Sequence, residues 1–320
     1  MPSSGKWGDS LLAVKISVIG AGNVGATLAQ RLAEEDLGDV VLLDVVEGVP
    51  QGKALDIQQS AAIVGFRGSI TGTNSYRHTA GSDVVVITAG ASRQPGMSRD
   101  DLLKGNARII KEVVANVVRF SPEAIIVMVT NPVDAMTYLA LKLSRFPRHR
   151  VLGLSGVLDS ARLASLIAAE LKVPVAAVSA LVLGEHGQNM VVLPRLSTVR
   201  GKPLTDMLPP EAVDGLVART VSGGLEIVRL LKAGSAFYAP SAAAARMVAA
   251  IIGDKQEVLP CAAYLDGEYG LRDTVIGVPV RLGGKGIEQI VELELAPGER
   301  KALTTSANAA GKLIEAIKPD

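Results

Sequence analysis

Two arginines lie at the ends of a short segment that is suited to binding an anion. Arg93 and Arg99 enclose Gln-Pro-Gly-Met-Ser. An apolar run at 84–90 precedes the segment and Asp-Asp-Leu-Leu at 100–103 follows it, so it would connect a buried strand to a helix. Open α/β sheets bind ligands at the carboxyl ends of their strands, and a guanidinium matches a carboxylate in a two-point contact. The segment therefore predicts an anionic substrate, with a solvated loop and two unrelated arginines as the plain alternative.

A histidine is the candidate for proton transfer. His186 follows the apolar run at 180–183 and lies between two glycines in Gly-Glu-His-Gly. The other two histidines, His78 and His149, lie in polar, loop-like surroundings. A histidine at the end of a core strand can act as a general acid–base when a carboxylate holds its second ring nitrogen. We predict that role for His186, with a packed structural histidine as the alternative.

Three further polar residues are candidates for the same site. Asp159 and Arg162 lie three residues apart in the helical pattern at 156–171, so they occupy neighbouring faces of one helix. Taken in isolation, their simplest interpretation is a surface ion pair. Asn131 follows the apolar run at 124–129 and precedes a proline, so it is placed either to reach a ligand or to form a turn.

A glycine-rich turn predicts a dinucleotide site. The run at 15–19 predicts a strand, helical spacing at 26–35 predicts a helix, and Gly-Ala-Gly-Asn-Val-Gly lies between them. In this context the fingerprint binds a pyrophosphate at the helix N-terminus. Asp44 ends the second predicted strand, 39–43, about twenty residues further on, where a carboxylate accepts hydrogen bonds from the adenosine ribose. Because the carboxylate would repel a 2′-phosphate, the sequence predicts NAD over NADP.

Alternating strands and helices in the first half of the chain predict a parallel, doubly wound Rossmann sheet. Further helices are predicted at 48–63 and 100–120, and further strands at 69–72, 84–90 and 124–129. The second half predicts an α+β arrangement, with helices at 156–171, 211–232, 241–252 and 297–317, a strand-like stretch at 191–198, and an antiparallel sheet from 257–263, 274–282 and 287–295. We therefore expect a flexible extension at 1–14, an NAD-binding domain at 15–155 and a substrate domain at 156–320.

The composition limits the class of protein. Lys and Arg total 33 and Asp and Glu total 32, and the net charge of +1 argues against nucleic acid or an anionic membrane as the partner. No apolar run reaches the roughly 18 residues of a membrane helix, and the N-terminus shows no secretory signal. The single cysteine, Cys261, excludes an internal disulfide and a cysteine-based metal cluster. It indicates a reducing compartment, so we expect a cytoplasmic protein that uses no metal.

Five motifs in order resemble the lactate/malate dehydrogenase family, and within it the NAD-dependent malate dehydrogenases of the lactate-dehydrogenase-like type. They are Gly-Ala-Gly-Asn-Val-Gly at 20–25, Arg-Gln-Pro-Gly-Met-Ser-Arg at 93–99, Thr-Asn-Pro-Val-Asp at 130–134, Val-Leu-Asp-Ser-Ala-Arg at 157–162 and Gly-Glu-His-Gly at 184–187. The resemblance extends over nearly the whole chain, from Lys15 to Ile317. It implies the reversible oxidation of (S)-malate to oxaloacetate with NAD as the hydride acceptor.

The resemblance also implies a role for each matching residue. His186 would accept the proton during malate oxidation, and Asp159 would orient it and stabilise its charged form. Arg162 would grip the C1 carboxylate, Arg99 would polarise the reacting C–O bond, and Asn131 would hydrogen-bond the same oxygen. The implied NAD contacts are Gly20, Ala21, Gly22, Asn23, Val24, Gly25, Asp44, Asn106, Val129, Thr130 and Asn131.

Arg93 separates the hypotheses that stay open. The resemblance places an arginine here in malate enzymes, where it pairs with the second carboxylate of the substrate, and a glutamine in lactate enzymes. A lactate or other 2-hydroxyacid dehydrogenase is therefore the second hypothesis, and a catalytically inactive NAD-binding protein is the third. The family forms dimers or tetramers, which implies a homotetramer, with a homodimer as the alternative. Two departures from the family pattern, Gln188-Asn189 and Leu154-Ser155, involve no residue with an implied catalytic role.

Overall fold

The computed structural model describes residues 14–91, 98–232 and 234–318. Except for Val14, the predicted N-terminal extension lies outside the described residues. The segment at 92–97, which contains Arg93, lies outside them too. Arg99 is the first residue of a described helix, but its side chain is not among the described groups.

Six parallel strands form the first half of the main sheet. They are β1 (Lys15–Ile19), β2 (Asp39–Leu43), β3 (Ile70–Thr73), β4 (Val84–Ile87), β5 (Ile125–Met128) and β6 (Val151–Gly153). The helices of this half are α1 (Asn23–Glu34), α2 (Val49–Val64), α3 (Arg99–Phe120) and α4 (Val133–Ser144). The strands lie in the order β3-β2-β1-β4-β5-β6, and each neighbouring pair is parallel. The order reverses between β1 and β4, which is where open α/β sheets bind ligands.

Burial on both faces explains why short apolar runs form this sheet. Ile16 and Val18 of β1 belong to an apolar cluster that includes Leu28 of α1. Ile19 points the other way and belongs to a second cluster, which includes Ile110 of α3. Helices cover both faces of a parallel sheet, so its strands can be apolar on both faces and need no alternation of polar residues.

The second half of the chain adds strands and helices around the same sheet. The strands are β7 (Val178–Ser179), β8 (Val182–Gly184), β9 (Met190–Val192), β10 (Thr198–Val199), β11 (Lys202–Pro203), β12 (Glu257–Asp266), β13 (Arg272–Gly283) and β14 (Gly286–Ile290). The helices are α5 (Gly156–Leu171), α6 (Pro210–Leu231), α7 (Tyr238–Ile252) and α8 (Pro297–Glu315). β7, β10 and β11 form a separate three-stranded sheet.

The antiparallel strands continue the parallel sheet. β6 pairs with β12 through Gly153 and Ala262, and β13 pairs with β8 through Gly277 and Gly184. The predicted antiparallel sheet is therefore one side of a continuous 11-stranded sheet. A junction made by one pair of residues leaves no pattern in the sequence, which is why the connection was not foreseen.

Three local predictions differ from the structure. One is the strand predicted at 287–295, because β14 ends at Ile290. The sequence-based prediction has no helix where α4 lies. α4 is buried on almost every side, so its sequence lacks the one-sided apolar spacing of a surface helix. The stretch predicted as one strand at 191–198 holds two short strands around a 3-10 turn at Pro194–Leu196, since proline cannot donate a ladder hydrogen bond. Among the described residues, no helix is both long enough and apolar enough to cross a bilayer.

Candidate active site

The glycine turn after β1 leaves no room for a side chain at two of its three glycines. Gly20 has a φ of +108°, and a Cβ there would lie 2.7 Å from the backbone nitrogen of Ala89. A Cβ on Gly25 would collide with the carbonyl oxygen of Gly20, so the first turn of α1 packs directly on the loop. α1, which the structure describes in full, has no side-chain cap and no acidic residue in its first turn. Its first N–H groups can therefore hold an anionic group such as a pyrophosphate.

Asp44 reaches back to this turn from the end of β2. Its Oδ2 accepts a hydrogen bond from the N–H of Ala21 at 2.6 Å, and its Oδ1 accepts one from the N–H of Val46 at 3.0 Å. An ionised carboxylate offers about four lone-pair sites, so Asp44 retains acceptors for ribose hydroxyls. Lys53 of α2 donates from Nζ to the carbonyl oxygen of Ala21 at 2.6 Å, which places an ammonium beside the glycine turn. Lys53 belongs to none of the sequence motifs that predicted the site.

Two threonines fix the loops around the turn. Thr88, directly after β4, donates from Oγ1 to the carbonyl oxygen of Gly20 at 3.0 Å. Thr130, after β5, donates from Oγ1 to the carbonyl oxygen of Ala89 at 2.7 Å. Side-chain hydrogen bonds thus join the carboxyl ends of β1, β4 and β5, and a ligand placed there would meet a fixed backbone.

Asn106 of α3 forms hydrogen bonds with Ala91, the residue that precedes the segment at 92–97. It is 1% exposed, and its Oδ1 accepts a hydrogen bond from the N–H of Ala91 at 2.8 Å. Its Nδ2 donates to the carbonyl oxygens of Ala91, at 3.3 Å, and Asn131, at 2.8 Å. These bonds link the residue before 92–97 to the end of β5. The amide that resemblance assigns to NAD therefore also ties two loops of the site together.

His186, Asp159 and Arg162 form one hydrogen-bonded group. Nδ1 of His186 lies 2.6 Å from Oδ2 of Asp159, and Oδ1 of the same carboxylate accepts a hydrogen bond from Nη1 of Arg162 at 3.0 Å. Asp159 is 1% exposed, and the side chains of His186 and Arg162 are 13% and 17% exposed. α5 carries the carboxylate and the guanidinium one turn apart, while the histidine lies in the turn between β8 and β9. This burial argues against a surface ion pair.

The surroundings of His186 favour its protonated form. Burial by itself lowers the pKa of His186, but the charge and the hydrogen bond of Asp159, with a further contribution from Asp134, raise that pKa above its ordinary value. Arg162 opposes them. Because Asp159 holds Nδ1, Nε2 is the ring nitrogen that remains for proton exchange with a ligand.

Two glycines of α6 lie beside the side chain of Arg162. A Cβ on Gly223 would lie 3.6 Å from Cδ of Arg162, and a Cβ on Gly224 would lie 3.8 Å from its Nη2. Nε of Arg162 is buried and has no hydrogen-bond partner within the described part of the chain. The guanidinium therefore has donors beyond its bond to Asp159, as two-point contact with a carboxylate requires.

Comparison with known families assigns the chain to one of them. A family model described as lactate/malate dehydrogenase, NAD binding domain, matches residues 14–153. A second, described as lactate/malate dehydrogenase, alpha/beta C-terminal domain, matches residues 156–319. The chain belongs to the lactate/malate dehydrogenase family. Its glycine turn falls in the first matched range, and His186, Asp159 and Arg162 fall in the second.

Similar members of the family include malate and lactate enzymes. The chain is 61% identical over 293 residues to a malate dehydrogenase of Dehalococcoides mccartyi, covering 92% of this chain and 95% of the relative. The malate dehydrogenase of Salinibacter ruber has a TM-score of 0.92 at 47% identity, covering 95% of this chain and 98% of that one. The lactate dehydrogenase of Cryptosporidium parvum, solved with lactic acid and nicotinamide adenine dinucleotide, has a TM-score of 0.93 at 39% identity, covering 96% and 98%. The family fold alone therefore does not decide the substrate.

One buried carboxyl group of this family member, that of Asp134, was not among the residues predicted to form the site. Asp134 lies in the first turn of α4, is 2% exposed, and accepts a hydrogen bond at Oδ2 from the main-chain N–H of His186 at 2.9 Å. Burial raises the pKa of Asp134 to about 7, although this hydrogen bond and the charge of His186 lower it. The available signal is an aspartate between the apolar residues Val133 and Ala135.

The structure brings the described candidates to two neighbouring places. The glycine turn, Asp44, Asn106 and Asn131 lie at the ends of the parallel strands, and the His186 group is joined to them through Asp134, three residues after Asn131. His78 instead bonds to Thr73 at 2.6 Å. In the described ranges, no group of three or more His, Cys, Asp or Glu side chains is placed to hold a metal ion.

Proposed function

We propose that this chain catalyses the reversible oxidation of (S)-malate to oxaloacetate with NAD as the hydride acceptor. The observation that carries the proposal is the buried contact between His186 and Asp159, joined by Arg162. Identity to enzymes named malate dehydrogenase over most of the chain supports the choice of substrate.

His186 exchanges the proton in this scheme. During malate oxidation Nε2 takes the proton of the C2 hydroxyl while C2 gives up its hydride, and the negative charge of Asp159 stabilises the imidazolium that forms. During oxaloacetate reduction the protonated ring returns that proton to the oxygen. The raised pKa of His186 increases the protonated fraction near neutral pH, which suits the reducing direction.

The residues around the glycine turn fit NAD. Gly20 and Gly25 allow α1 to pack closely on the turn, and a Cβ on Gly22 would meet no atom within 4 Å, so the backbone there is open to the pyrophosphate. The ammonium of Lys53 adds positive charge beside the glycine turn. Asp44 accepts the ribose hydroxyls, and its charge opposes the 2′-phosphate of NADP. When bound, the nicotinamide accepts the hydride from C2 or returns it.

The arginines bind and polarise the dicarboxylate. We assign the C1 carboxylate to Arg162, whose remaining donors lie beside His186. We assign the reacting C–O bond to Arg99 and Asn131, and the second carboxylate to Arg93, following the family motif. Closure of the segment at 92–97 over the substrate would exclude water and strengthen these contacts.

Initial rates with four combinations of keto acid and cofactor, and with two variants, test the proposal. Wild-type protein should reduce oxaloacetate with NADH far better than pyruvate with NADH or either acid with NADPH. His186→Asn should abolish turnover and leave NADH binding nearly intact, because the imidazole acts on the substrate. His149→Asn is the matched control and should retain full activity. Preference for pyruvate would favour a lactate dehydrogenase, and substantial turnover by His186→Asn would refute the assignment of the acid–base.

We also propose a homotetramer in the cytoplasm, with a homodimer as the alternative, and a division into two domains near Ser155. Exposed apolar side chains on α2 and α6, among them Ile63 at 89% and Leu230 at 76% exposure, support self-association. The separate family-model matches at 14–153 and 156–319 support the division. Light scattering checks the assembly, and a monomeric mass would contradict it.

A further inference from the structure

A second carboxyl group lies behind His186, on its main-chain side. Asp134 is 2% exposed, and its Oδ2 accepts the main-chain N–H of His186 at 2.9 Å. Its Oδ1 is buried and has no hydrogen-bond partner among the residues that the structure describes. Buried polar atoms are nearly always paired in folded proteins, so an unpaired carboxyl oxygen this close to the acid–base requires a reason.

The charged groups around this carboxyl come from two further elements. His186 and Glu185 face Asp134 from the turn between β8 and β9, and Asp159 faces it from α5. His186 in turn faces Asp159, Asp134 and Arg162. Two carboxyl groups therefore contact His186: Asp159 at the ring nitrogen Nδ1, and Asp134 at the main-chain N–H.

We propose that Asp134 is a positioning residue, which holds the turn that carries His186 and whose negative charge favours the protonated imidazole. The inference rests on the proposed function, in which His186 exchanges the proton of the substrate. The hydrogen bond fixes the backbone at His186, so that its ring stays against Asp159. The charge acts separately, because a nearby carboxylate stabilises an imidazolium. Asp134 and His186 then titrate as a coupled pair, because burial raises the pKa of Asp134 to about 7 while the hydrogen bond and the charge of His186 oppose that rise.

Two substitutions separate the charge from the hydrogen bond. Asp134→Asn retains an oxygen that can accept the N–H of His186 but carries no charge. Asp134→Ala removes the charge and the acceptor together. Glu185→Gln is the matched control, because it removes a neighbouring carboxylate that is only partly buried and whose Oε2 accepts a hydrogen bond from Asn189 at 2.6 Å.

The direct readout is the pKa of His186, measured by NMR titration of the substrate-free protein. The chain has three histidines, and the His186 signal is the one that His186→Asn removes. We expect the pKa of His186 to fall by about one unit in Asp134→Asn and in Asp134→Ala, since both lose the charge. Glu185→Gln should leave it near the wild-type value. A wild-type pKa of His186 in Asp134→Asn would overturn the electrostatic part of the proposal.

Kinetics test the positioning part. In Asp134→Asn, the kcat/KM for oxaloacetate reduction should decline at a lower pH than in wild type, by the same shift as the pKa of His186. Its kcat at the optimum should stay within a fewfold of wild type. Asp134→Ala should lose about tenfold or more in kcat at every pH, because a hydrogen bond to a charged group is lost. A wild-type kcat in Asp134→Ala would show that the hydrogen bond does not position His186.

These outcomes keep the inference distinct from the proposed function. Wild-type protein that fails to reduce oxaloacetate would refute the malate reaction, while the NMR shift would still decide whether Asp134 acts on His186. An active enzyme whose His186 pKa is the same in all variants would refute the inference alone. If a melting curve shows that Asp134→Ala does not fold, the comparison of Asp134→Asn with Glu185→Gln still decides whether the charge of Asp134 acts on His186.

Discussion

Replacing Asp159 by asparagine removes the charge on which the proton transfer depends. Asp159 is 1% exposed, and each of its oxygens faces a cationic group, with Nδ1 of His186 at 2.6 Å and Nη1 of Arg162 at 3.0 Å. Asparagine has nearly the same shape but only one oxygen. It can therefore accept one of these hydrogen bonds, while its NH₂ group meets the other donor.

The magnitude follows from this burial. Breaking a buried, hydrogen-bonded charge pair by removing one partner costs about 3–5 kcal/mol. Coulomb's law gives a similar value, about 4 kcal/mol, for unit charges about 4 Å apart at an effective dielectric constant of about 20. At about 1.4 kcal/mol per factor of ten, Asp159→Asn should lower the efficiency of oxaloacetate reduction by roughly a hundredfold to several thousandfold.

The assay is the initial rate of NADH consumption, measured across pH beside NADH affinity from fluorescence. Because Asp159 raises the pKa of His186, the variant should hold its protonated imidazole only at lower pH, and the optimum for reduction should move in that direction. NADH affinity should hardly change, and Glu185→Gln should behave as wild type. A variant that keeps more than about a tenth of the wild-type efficiency would refute the buried-charge reasoning.

Four further substitutions probe specificity, cofactor choice and stability. Arg93→Gln should lower the efficiency with oxaloacetate by roughly 30-fold to several thousandfold, from about 2–5 kcal/mol for a desolvated charge pair, and raise that with pyruvate. Arg99→Gln should lower both, and a uniform loss in Arg93→Gln would contradict a specificity role. Asp44→Ala should weaken NADH binding and relax the discrimination against NADPH; an unchanged ratio of efficiencies would mean that the carboxylate does not face the ribose. Asp273, which accepts hydrogen bonds from two tyrosines and two lysines, should contribute stability at neutral pH, so Asp273→Asn should melt at a lower temperature. Burial raises the pKa of Asp273, but the four hydrogen-bond donors lower it by more, so the pKa in the folded protein lies below its ordinary value. The contribution to stability is therefore fully present above the unfolded pKa of about 3.9 and is lost as the pH falls towards the folded pKa. A difference in melting temperature that persists undiminished in strong acid would argue against this contribution.

Much of the fold could be predicted because its signals are local. Most of the parallel strands are short runs rich in Val, Ile and Leu, as in β2 at Asp39–Leu43, whose bounds agree with the sequence-based prediction. The glycines at 20 and 25 could be recognised because only residues without a Cβ fit that turn. His186, Asp159 and Arg162 could be chosen from their residue types and their places after a strand or along a helix.

The remaining features depend on contacts between distant parts of the chain. Asp134 and Lys53 gained their importance from the backbone atoms they meet, the N–H of His186 and the carbonyl oxygen of Ala21. Neither partner is adjacent in sequence. α4 was missed because tertiary burial replaces the amphipathic pattern that sequence reasoning uses. A carboxyl group in the first turn of a buried helix such as α4 leaves no periodic pattern in the sequence.

The sheet between Asn131 and His186 contains two narrow seams. From β5 it runs through β6, β12 and β13 to β8, and two of these junctions rest on one paired residue each, Gly153 with Ala262 and Gly277 with Gly184. Cooperative units of a protein separate where few contacts join them, so the amides at these seams should exchange with deuterium sooner than those of β1 or β4. Opening either seam and breaking the hydrogen bond between Asp134 and His186 would part the imidazole from the strand ends without disturbing the glycine turn. On warming, the protein should therefore lose catalytic activity first, while it still binds the dinucleotide, and unfold completely only at a higher temperature.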